Sequence, residues 1–472
     1  MKGLRIIEPK LLLLPVIATL FLLLVSWTTS PLATMESGDS SIYKLLGMGI
    51  LHGKLPYVDL FDNKGTYLYL INAFGMWLIP GRWGIFVIQV VSLSVTLYFF
   101  YRTARLFCSS KTAFISVLLT LFLLAGCCHG GNHVEEYMLP FISLSFYLVT
   151  DLFMAPEPMH KTLWKRFLAW GICFGVVLML RPNDAVGFFG GLMIGVLCWL
   201  AQRKEWRQTV VGSILFFAGA MVALAPIVIW YASEDALSGL WYGVYGANSK
   251  MAGGMVGQLA TLLKWGKWAV LLLMLTLCVM IVSTNHKAVL WFVVPMCMLQ
   301  LLFIGGKLYA HYFIPLFPLM ALFMAMLFCQ KNKAVVVLAV AILCLSHRPL
   351  PRMAILELAA DSKVIASSIS HRSTETKCPI PEEEKGSVWN YSLDSWREGV
   401  PMAWLINNDI VQCNRKTGSL DADIKEIDFY ETNPLWVASY EDEFGQHEAS
   451  SGYRLAEVVP TEHFTIHLYK RK

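Results

Sequence analysis

Long apolar runs alternate with short polar stretches over the first 350 residues of the chain. A helix needs about 20 apolar residues to cross the hydrocarbon core of a bilayer, and about eleven runs approach that length. They lie at about residues 11–30, 83–101, 112–128, 137–154, 167–181, 185–201, 208–230, 268–284, 288–304, 312–329 and 334–347. The pattern therefore predicts an α-helical polytopic membrane protein with about eleven transmembrane helices.

The first polar region, residues 31–82, departs from this alternation. In "SSIYKLLGMGILHG", Ile42, Leu46 and Gly49 recur at helical spacing, which is typical of a helix lying in the membrane plane. The following "NKGTYLYLINAFGMWLIPG" is apolar, but it is short and interrupted by glycines and prolines. We expect an interfacial or re-entrant segment there, so that 31–82 forms one loop with interfacial helices.

Lysine and arginine are concentrated in alternate loops. The loops that begin near Arg102, Lys161 and Arg203 are almost purely basic, as is the segment before the first run. The positive-inside rule then places the N-terminus in the cytoplasm and the end of the chain outside. We expect a multi-pass protein of the cytoplasmic (inner) membrane, with domain 1–350 in the bilayer.

The composition changes abruptly at about residue 351. "GSVWNYS", "LWVASYE" and "YRLAEVV…FTIHLYKR" are typical of strands separated by turns. We expect residues 351–472 to form a small soluble α/β domain on the outer face. It contains Cys378 and Cys413, and a disulfide between them is left open because sequence cannot establish their proximity.

The overall composition agrees with a membrane location. Hydrophobic residues make up 56% of the chain and charged residues only 15%, whereas soluble domains contain about 25% charged residues. The net charge of +5 follows from the basic inner loops, so it does not indicate a nucleic-acid partner.

Six polar stretches fall on the predicted outer side. They are "SGDSSIY", "PYVDLFDNKGTY", "HGGNHVEEY", "RPND", "YGVYGANSKMAGG" and "GGKLYAHYF". Ionisable groups at membrane depth are costly, which makes them candidates for function. Each also has a structural explanation: Asp39 could cap a helix, Lys64 could extend to the headgroups, and Arg181 could cap helix carbonyls. Their common side nevertheless predicts a single site.

The stretch "GDSSIYKLLGMGILHGKLPYVDLFDNKGTYLYLINAFG" resembles the first extracytoplasmic loop of GT-C superfamily glycosyltransferases. The resemblance is to the protein-mannosyltransferase and aminoarabinose-transferase type, and "RPND" and "YAHYFIPLFPLM" are similar to later motifs of that family. The matching positions of the first loop are Asp39, Tyr43, Gly53, Pro56, Tyr57, Asp59, Lys64, Gly65 and Tyr69.

This resemblance implies transfer of a sugar from a polyprenyl-phosphate donor to an acceptor outside the membrane. A general base must accept the proton of the acceptor hydroxyl, and cations must meet the leaving phosphate. We assign the base to Asp39 and the donor phosphate to Lys64, Arg181, Tyr309 and His311. Substrate-binding or supporting roles go to Tyr43, Tyr57, Asp59, Asp62, His133 and Glu135.

Several properties stay open from sequence. The sequence establishes no cofactor and assigns no residue as a metal ligand, and a divalent metal ion is compatible with these residues. The acceptor could be a glycan, a lipid or a protein, and membrane lipids are further partners. A polysaccharide polymerase or ligase and a transporter of lipid-linked glycans remain alternatives. A transporter predicts mid-helix charges and inverted repeats, which the chain lacks, and polymerases usually have their large outer loop late in the chain.

Overall fold

The computed structural model describes residues 8–26, 28–31, 38–51, 53–58, 62–79, 82–128, 130–154, 160–248, 265–283, 286–304, 309–330, 388–390, 435–440, 442, 444–446, 448–460 and 465–472. Asp59, Cys378, Cys413 and the expected span 334–347 lie outside these residues.

The described part of the first 330 residues is built mainly of α-helices, and every predicted span up to residue 329 overlaps one. The described α-helices of at least twelve residues are α1 Leu13–Val25, α2 Gly38–Leu51, α3 Thr66–Leu78, α4 Arg82–Arg105, α5 Ser110–Leu124, α6 Val134–Met154, α7 His160–Leu178, α8 Gly190–Gln202, α9 Trp206–Ser233, α10 Trp265–Ser283, α11 Leu290–Phe303 and α12 Phe317–Phe328. Two short α-helices are Pro182–Asp184 and Leu237–Trp241. Among the described residues, five helical segments are long and apolar enough to cross a membrane: Arg82–Arg105, Val134–Met154, Pro182–Gln202, Trp206–Ser233 and Ala310–Phe328.

Helix α3 belongs to the first polar region and is too short to span a bilayer. Its 13 residues extend about 20 Å, compared with about 30 Å for the hydrocarbon core. Tyr69 and Asn72 on one side are buried, whereas Trp77 on the other is 68% exposed. The interfacial or re-entrant placement of this segment stays a prediction.

Helices α7 and α9 pack in parallel through small residues. A Cβ at Gly171 would lie 1.9 Å from the carbonyl oxygen of Phe216, and one at Gly219 would lie 2.3 Å from that of Leu168. Small residues allow such close backbone approach in membrane helices, where van der Waals packing drives association. The first turns of α7 and α9 therefore lie on the same side of the protein.

Aromatic side chains fill the core between α6, α8 and α11. The Phe146 ring of α6 lies 5.7 Å from Phe292 and 6.4 Å from Phe188, and all three side chains are fully buried. These contacts fix α6 against its neighbours, and the N-terminal end of α6 carries several residues of the site described below.

The described C-terminal residues contain a four-stranded sheet. Its strands, β1 Val388–Asn390, β2 Trp436–Tyr440, β3 Tyr453–Pro460 and β4 Thr465–Arg471, are ordered β1-β2-β4-β3. The β1–β2 pair is parallel, and the other pairs are antiparallel. These strands coincide with the three sequence stretches predicted to be extended. The remaining part of the expected α/β domain lies outside the described residues.

Candidate active site

The described residues of the six polar stretches meet at one end of the helical part. The Asn132 side chain donates to Ser40 Oγ at 2.9 Å, which joins "HGGNHVEEY" to α2. The Gly65 N–H donates to the carbonyl oxygen of Leu180 at 2.9 Å, beside "RPND".

The other stretches are joined to the same place. The Asn248 side chain donates to the carbonyl oxygen of Asn63 at 2.6 Å, which brings "YGAN" to the first polar region. His311 of "YAHYF" stacks on His133. Segments far apart in sequence therefore form one candidate site.

Asp39, His133 and His311 form its centre. Asp39 lies in the first turn of α2, His133 immediately precedes α6, and His311 lies in the 3-10 helix Ala310–Leu316. One oxygen or nitrogen atom from each side chain lies within 4.8 Å of the others. The two imidazole rings are nearly parallel, with centroids 4.4 Å apart.

These three side chains could hold one divalent metal ion. A carboxylate oxygen and two imidazole nitrogens are ligands that Zn²⁺ and related transition metals accept, with further positions left for water or substrate. Asp39, His133 and His311 are thus a candidate ligand set for the divalent ion that the sequence left open.

A tight turn positions His133. Gly131 and Asn132 both have positive φ, 78° and 61°, a conformation that asparagine tolerates better than most residues. Asn132 Nδ2 also lies 3.0 Å from Asn72 Oδ1, and the Tyr137 hydroxyl donates to Asn132 Oδ1 at 2.6 Å. Because all these side chains are buried, the amide holds α2, α3 and α6 in one arrangement.

Arg181 lies beside this centre in a network of charges. It forms ion pairs with Glu135 and, at 3.0 Å, with Asp184, and its guanidinium lies 4.1 Å from the Tyr312 ring centroid. Burial acts to lower the pKa of Arg181, but Asp184 and Glu135 outweigh it and raise the pKa, so the group stays charged. Gln300 donates to Asp184 at 2.5 Å.

Lys64 and Asp62 lie on the first-loop side of the site. Lys64 Nζ donates to Asn63 Oδ1 at 2.9 Å, and the Tyr57 hydroxyl donates to the Lys64 carbonyl oxygen at 2.5 Å. The Tyr69 hydroxyl lies 3.0 Å from Asp62 Oδ2. Burial raises the pKa of Tyr57 well above its usual value, so its hydroxyl stays a proton donor.

Two further predicted tyrosines lie close to the centre. Tyr43 is buried one helical turn after Asp39; burial first, and then the carboxylates of Asp39, Asp62 and Glu135, raise its pKa. Tyr309 is 48% exposed, and its ring is nearly parallel to that of His311 at 5.5 Å. Tyr309 therefore forms the outer end of a stack that continues through His311 to His133.

Sequence reasoning overlooked four residues of the network. Asn132 and Asp184 were present in the quoted motifs, and each carried a signal: an asparagine after two glycines and an acid after Arg-Pro. Gln300 is a polar residue within an apolar helix, where polar groups mark candidate sites. Tyr312 carried no signal beyond its neighbour His311.

A family model provides the first comparison with known proteins. Residues 5–337, well over half of the chain, match the family described as the putative competence-induced protein Ccs4 N-terminal domain. The chain belongs to this family. No curated protein matches this Ccs4-family chain in sequence.

Solved structures show what fold this Ccs4-family protein has. The crystal structure of ArnT from Cupriavidus metallidurans bound to undecaprenyl phosphate aligns with a TM-score of 0.60 at 10% identity, covering 98% of each chain. The apo form of that ArnT gives 0.61 at 10% identity, covering 98% of this chain and 97% of that one. The oligosaccharyltransferase AglB from Archaeoglobus fulgidus, in complex with an inhibitory peptide and a dolichol-phosphate, gives 0.49 at 12% identity over 92% and 70%. The two ArnT alignments show that the Ccs4-family chain shares the fold of ArnT, as the resemblance of the first loop to the aminoarabinose-transferase type implied.

Proposed function

We propose that this protein is a glycosyltransferase that moves a sugar from a polyprenyl-phosphate donor to an acceptor at the outer face of the cytoplasmic membrane. The observation that carries the proposal is the junction of Asp39, His133, His311 and Arg181 at one end of the helices. The full-length alignment with an ArnT bound to undecaprenyl phosphate supports the choice of donor.

Asp39 acts as the general base in this proposal. Its carboxylate removes the proton of the acceptor hydroxyl as that oxygen attacks the anomeric carbon, and the bond from this carbon to the phosphate oxygen breaks. Asp62, Glu135 and Asp184 each already have a partner in the described residues. Among the described site carboxylates named in the sequence analysis, Asp39 is then the one left for catalysis, which favours direct displacement with inversion over a double displacement needing a second carboxylate.

Arg181 and Lys64 neutralise the departing polyprenyl phosphate. Both ion pairs of Arg181 are made through Nη1, so within the described residues Nη2 and Nε remain as donors for a ligand. A guanidinium has five N–H donors in a rigid fork, so it can pair with protein carboxylates and still present a two-pronged contact to phosphate, whereas an ammonium offers three donors at one point. Tyr309 and His311 close the site. A divalent ion held by His133, His311 and one carboxylate oxygen of Asp39 would add positive charge near the site, and the second oxygen of Asp39 would remain to accept the proton.

The decisive experiment compares the surface glycans and lipids of cells with and without the protein by mass analysis. One sugar should be missing without it, and wild-type protein should restore that sugar. Asp39→Asn, which keeps the side-chain volume, should fall about 10²-fold or more in turnover at normal membrane abundance. Glu234→Gln, an exposed acid at the end of α9, is the matched control.

The outcomes separate the alternatives. Near-normal activity of Asp39→Asn would move the base to Glu135 or Asp59. If cells without the protein keep all their surface glycans but hold a lipid-linked glycan on the other face of the membrane, the transporter alternative is supported instead.

Donor titration in nanodiscs tests the phosphate assignment. Removing a hydrogen bond to a charged group costs about 1.5–3 kcal/mol. Arg181→Lys and Lys64→Ala should therefore raise the donor concentration needed for half-maximal activity about tenfold or more. The acceptor dependence should stay the same, because the acceptor approaches from the aqueous side. If neither variant alters donor dependence, the phosphate is bound elsewhere, and Lys250 in the "YGANSKMAGG" stretch is then the next residue to test.

A further inference from the structure

A cavity of about 320 Å³ opens between the first turns of α7 and α9. Since the two helices run parallel, these turns lie at the end opposite Arg181 and the candidate active site. Trp164 and Phe167 of α7 form one wall, and Arg207, Gln208 and Leu215 of α9 form the other.

The residues that line the cavity change from polar to apolar along α9. Arg207 and Gln208 lie in the first turn, where α9 begins, whereas Val211 and Leu215 follow one and two turns further along. Trp164, which is 48% exposed, borders the cavity, and tryptophan is enriched at the level of lipid headgroups. A ligand that fits has a charged or polar head and an apolar continuation.

The surroundings favour an anionic head. Among the described residues, the basic side chains in or next to these helix ends are Lys165, Arg203, Lys204 and Arg207, and Glu205 is the acid beside them. Arg166 is already paired with Asp151 at 2.5 Å, so it adds little to the local charge. Basic cavities between the ends of transmembrane helices bind anionic lipid headgroups.

The surface beside the cavity shows where the ligand comes from. Val210, Ile214 and Phe217 of α9 are 57%, 62% and 62% exposed. A run of exposed apolar side chains on a membrane helix faces lipid tails, so the apolar part of the cavity adjoins the bilayer rather than water. A soluble anion would leave this part uncovered, whereas an acyl chain covers it.

We propose that this cavity binds an anionic diacyl phospholipid. Its phosphate pairs with Arg207 and accepts from Gln208, and one acyl chain lies along Phe167, Val211 and Leu215. The site is separate from the candidate active site, so it does not depend on the proposed function. Bound lipid would stabilise the α7–α9 pair from the side opposite the chemistry.

Native mass spectrometry of the purified full-length protein tests the site with phosphatidylglycerol and phosphatidylcholine as probes. Wild type should retain phosphatidylglycerol in preference to phosphatidylcholine. Arg207→Ala should lower the affinity for phosphatidylglycerol about tenfold. Arg203→Ala is the matched control, because that guanidinium lies 4.3 Å from the Trp199 ring centroid and does not line the cavity.

Leu215→Trp provides a second test that leaves the charge intact. The larger side chain should fill the apolar part and reduce retention of phosphatidylglycerol. Equal retention of both lipids by wild type, or equal loss of selectivity in Arg207→Ala and Arg203→Ala, would overturn the proposal. Displacement of phosphatidylglycerol by a lower concentration of undecaprenyl phosphate would also overturn it, since the occupant would then be a polyprenyl carrier.

Discussion

Asn132 lies between two elements of the candidate site and has a backbone conformation with φ of 61°. Its amide group contacts Ser40, which follows Asp39, and its own C-terminal neighbour is His133. A single buried amide therefore links the positions of the proposed base and of a candidate metal ligand. A small shift of Asp39 or His133 should reduce activity, because a displacement of about 1 Å can lower the rate about 10²-fold.

Replacing Asn132 by Gly tests this role. Glycine accepts positive φ without strain, so the change removes the amide but not the turn. Tyr137 and Ser40 would lose a buried partner, at a cost of about 1–3 kcal/mol in the free energy of unfolding. Turnover should fall about tenfold or more, with acceptor KM little changed. Ser40→Ala, which removes only one of the hydrogen bonds, should have a smaller effect on both. If Asn132→Gly keeps wild-type turnover, the Asn132 amide contributes to the stability of the fold and not to catalysis.

Binding of a metal ion by Asp39, His133 and His311 is tested by measuring the metal content of the purified protein. Purified wild type, stripped with a chelator and titrated with Zn²⁺ or Mn²⁺, should take up about one ion per chain. Loss of an outer-shell partner already costs about 10–100-fold in affinity, so loss of a ligand in His133→Ala or His311→Ala should cost more. His286→Ala is the control, since His286 packs against Phe107 away from the site. Absence of uptake by wild type would leave the two stacked histidines to act without a metal.

At the scale of elements, the first polar region is held to the end of α7 by a close backbone contact. The Gly65 N–H donates to Leu180, and a Cβ on Gly65 would lie 1.7 Å from the Met179 carbonyl oxygen. This junction places Lys64 next to the "RPND" turn that carries Arg181. The glycine is thus required by the approach of the two backbones.

Gly65→Ala should therefore separate the two elements. Overpacking of this kind typically costs about 1–3 kcal/mol, so thermal unfolding in detergent should shift to a lower temperature. Donor binding should also weaken, because Lys64 and Arg181 lie on opposite sides of the contact. Gly190→Ala is the control, as its Cβ would meet only Leu299 Cδ1 at 3.7 Å. Equal melting temperatures for the two variants would contradict the importance of the junction.

Most helices could be predicted from sequence because a spanning segment must satisfy its own backbone hydrogen bonds with an apolar exterior. The pattern also located the polar stretches and gave Asp39, His133 and His311 as separate candidates. It could not show that the three side chains lie close together, since they are about 90 to 270 positions apart in the sequence. For the same reason Arg181 was predicted as a cation for phosphate, while its pairs with Glu135 and Asp184 became visible only in the fold.

At the scale of the whole molecule, the two ends of the helices differ in character. The candidate site occupies one end, and the Tyr231 hydroxyl near the end of α9 donates to the Pro56 carbonyl oxygen there at 3.1 Å. The opposite end carries most of the arginines and lysines of the predicted inner loops, and Glu8 contacts Tyr101 and Ser110 there. An asymmetry of this kind is what the positive-inside rule describes.

The orientation follows as the last prediction, with the candidate site outside and the basic end in the cytoplasm. Single cysteines at Glu234 and Ser450 should react with an impermeant maleimide on intact cells, because both positions fall on the predicted outer side. Lys111→Cys, which is exposed at the start of α5, should react only after permeabilisation. The exposed native Cys198 is replaced by Ser in all variants, as are Cys378 and Cys413 of the predicted outer domain, so that none of them contributes a signal. If position 111 is labelled in intact cells and position 234 is not, the protein has the opposite orientation in the membrane. The site would then face the cytoplasm, and transfer to an acceptor outside the cell would be untenable even if every residue at the site kept its proposed role.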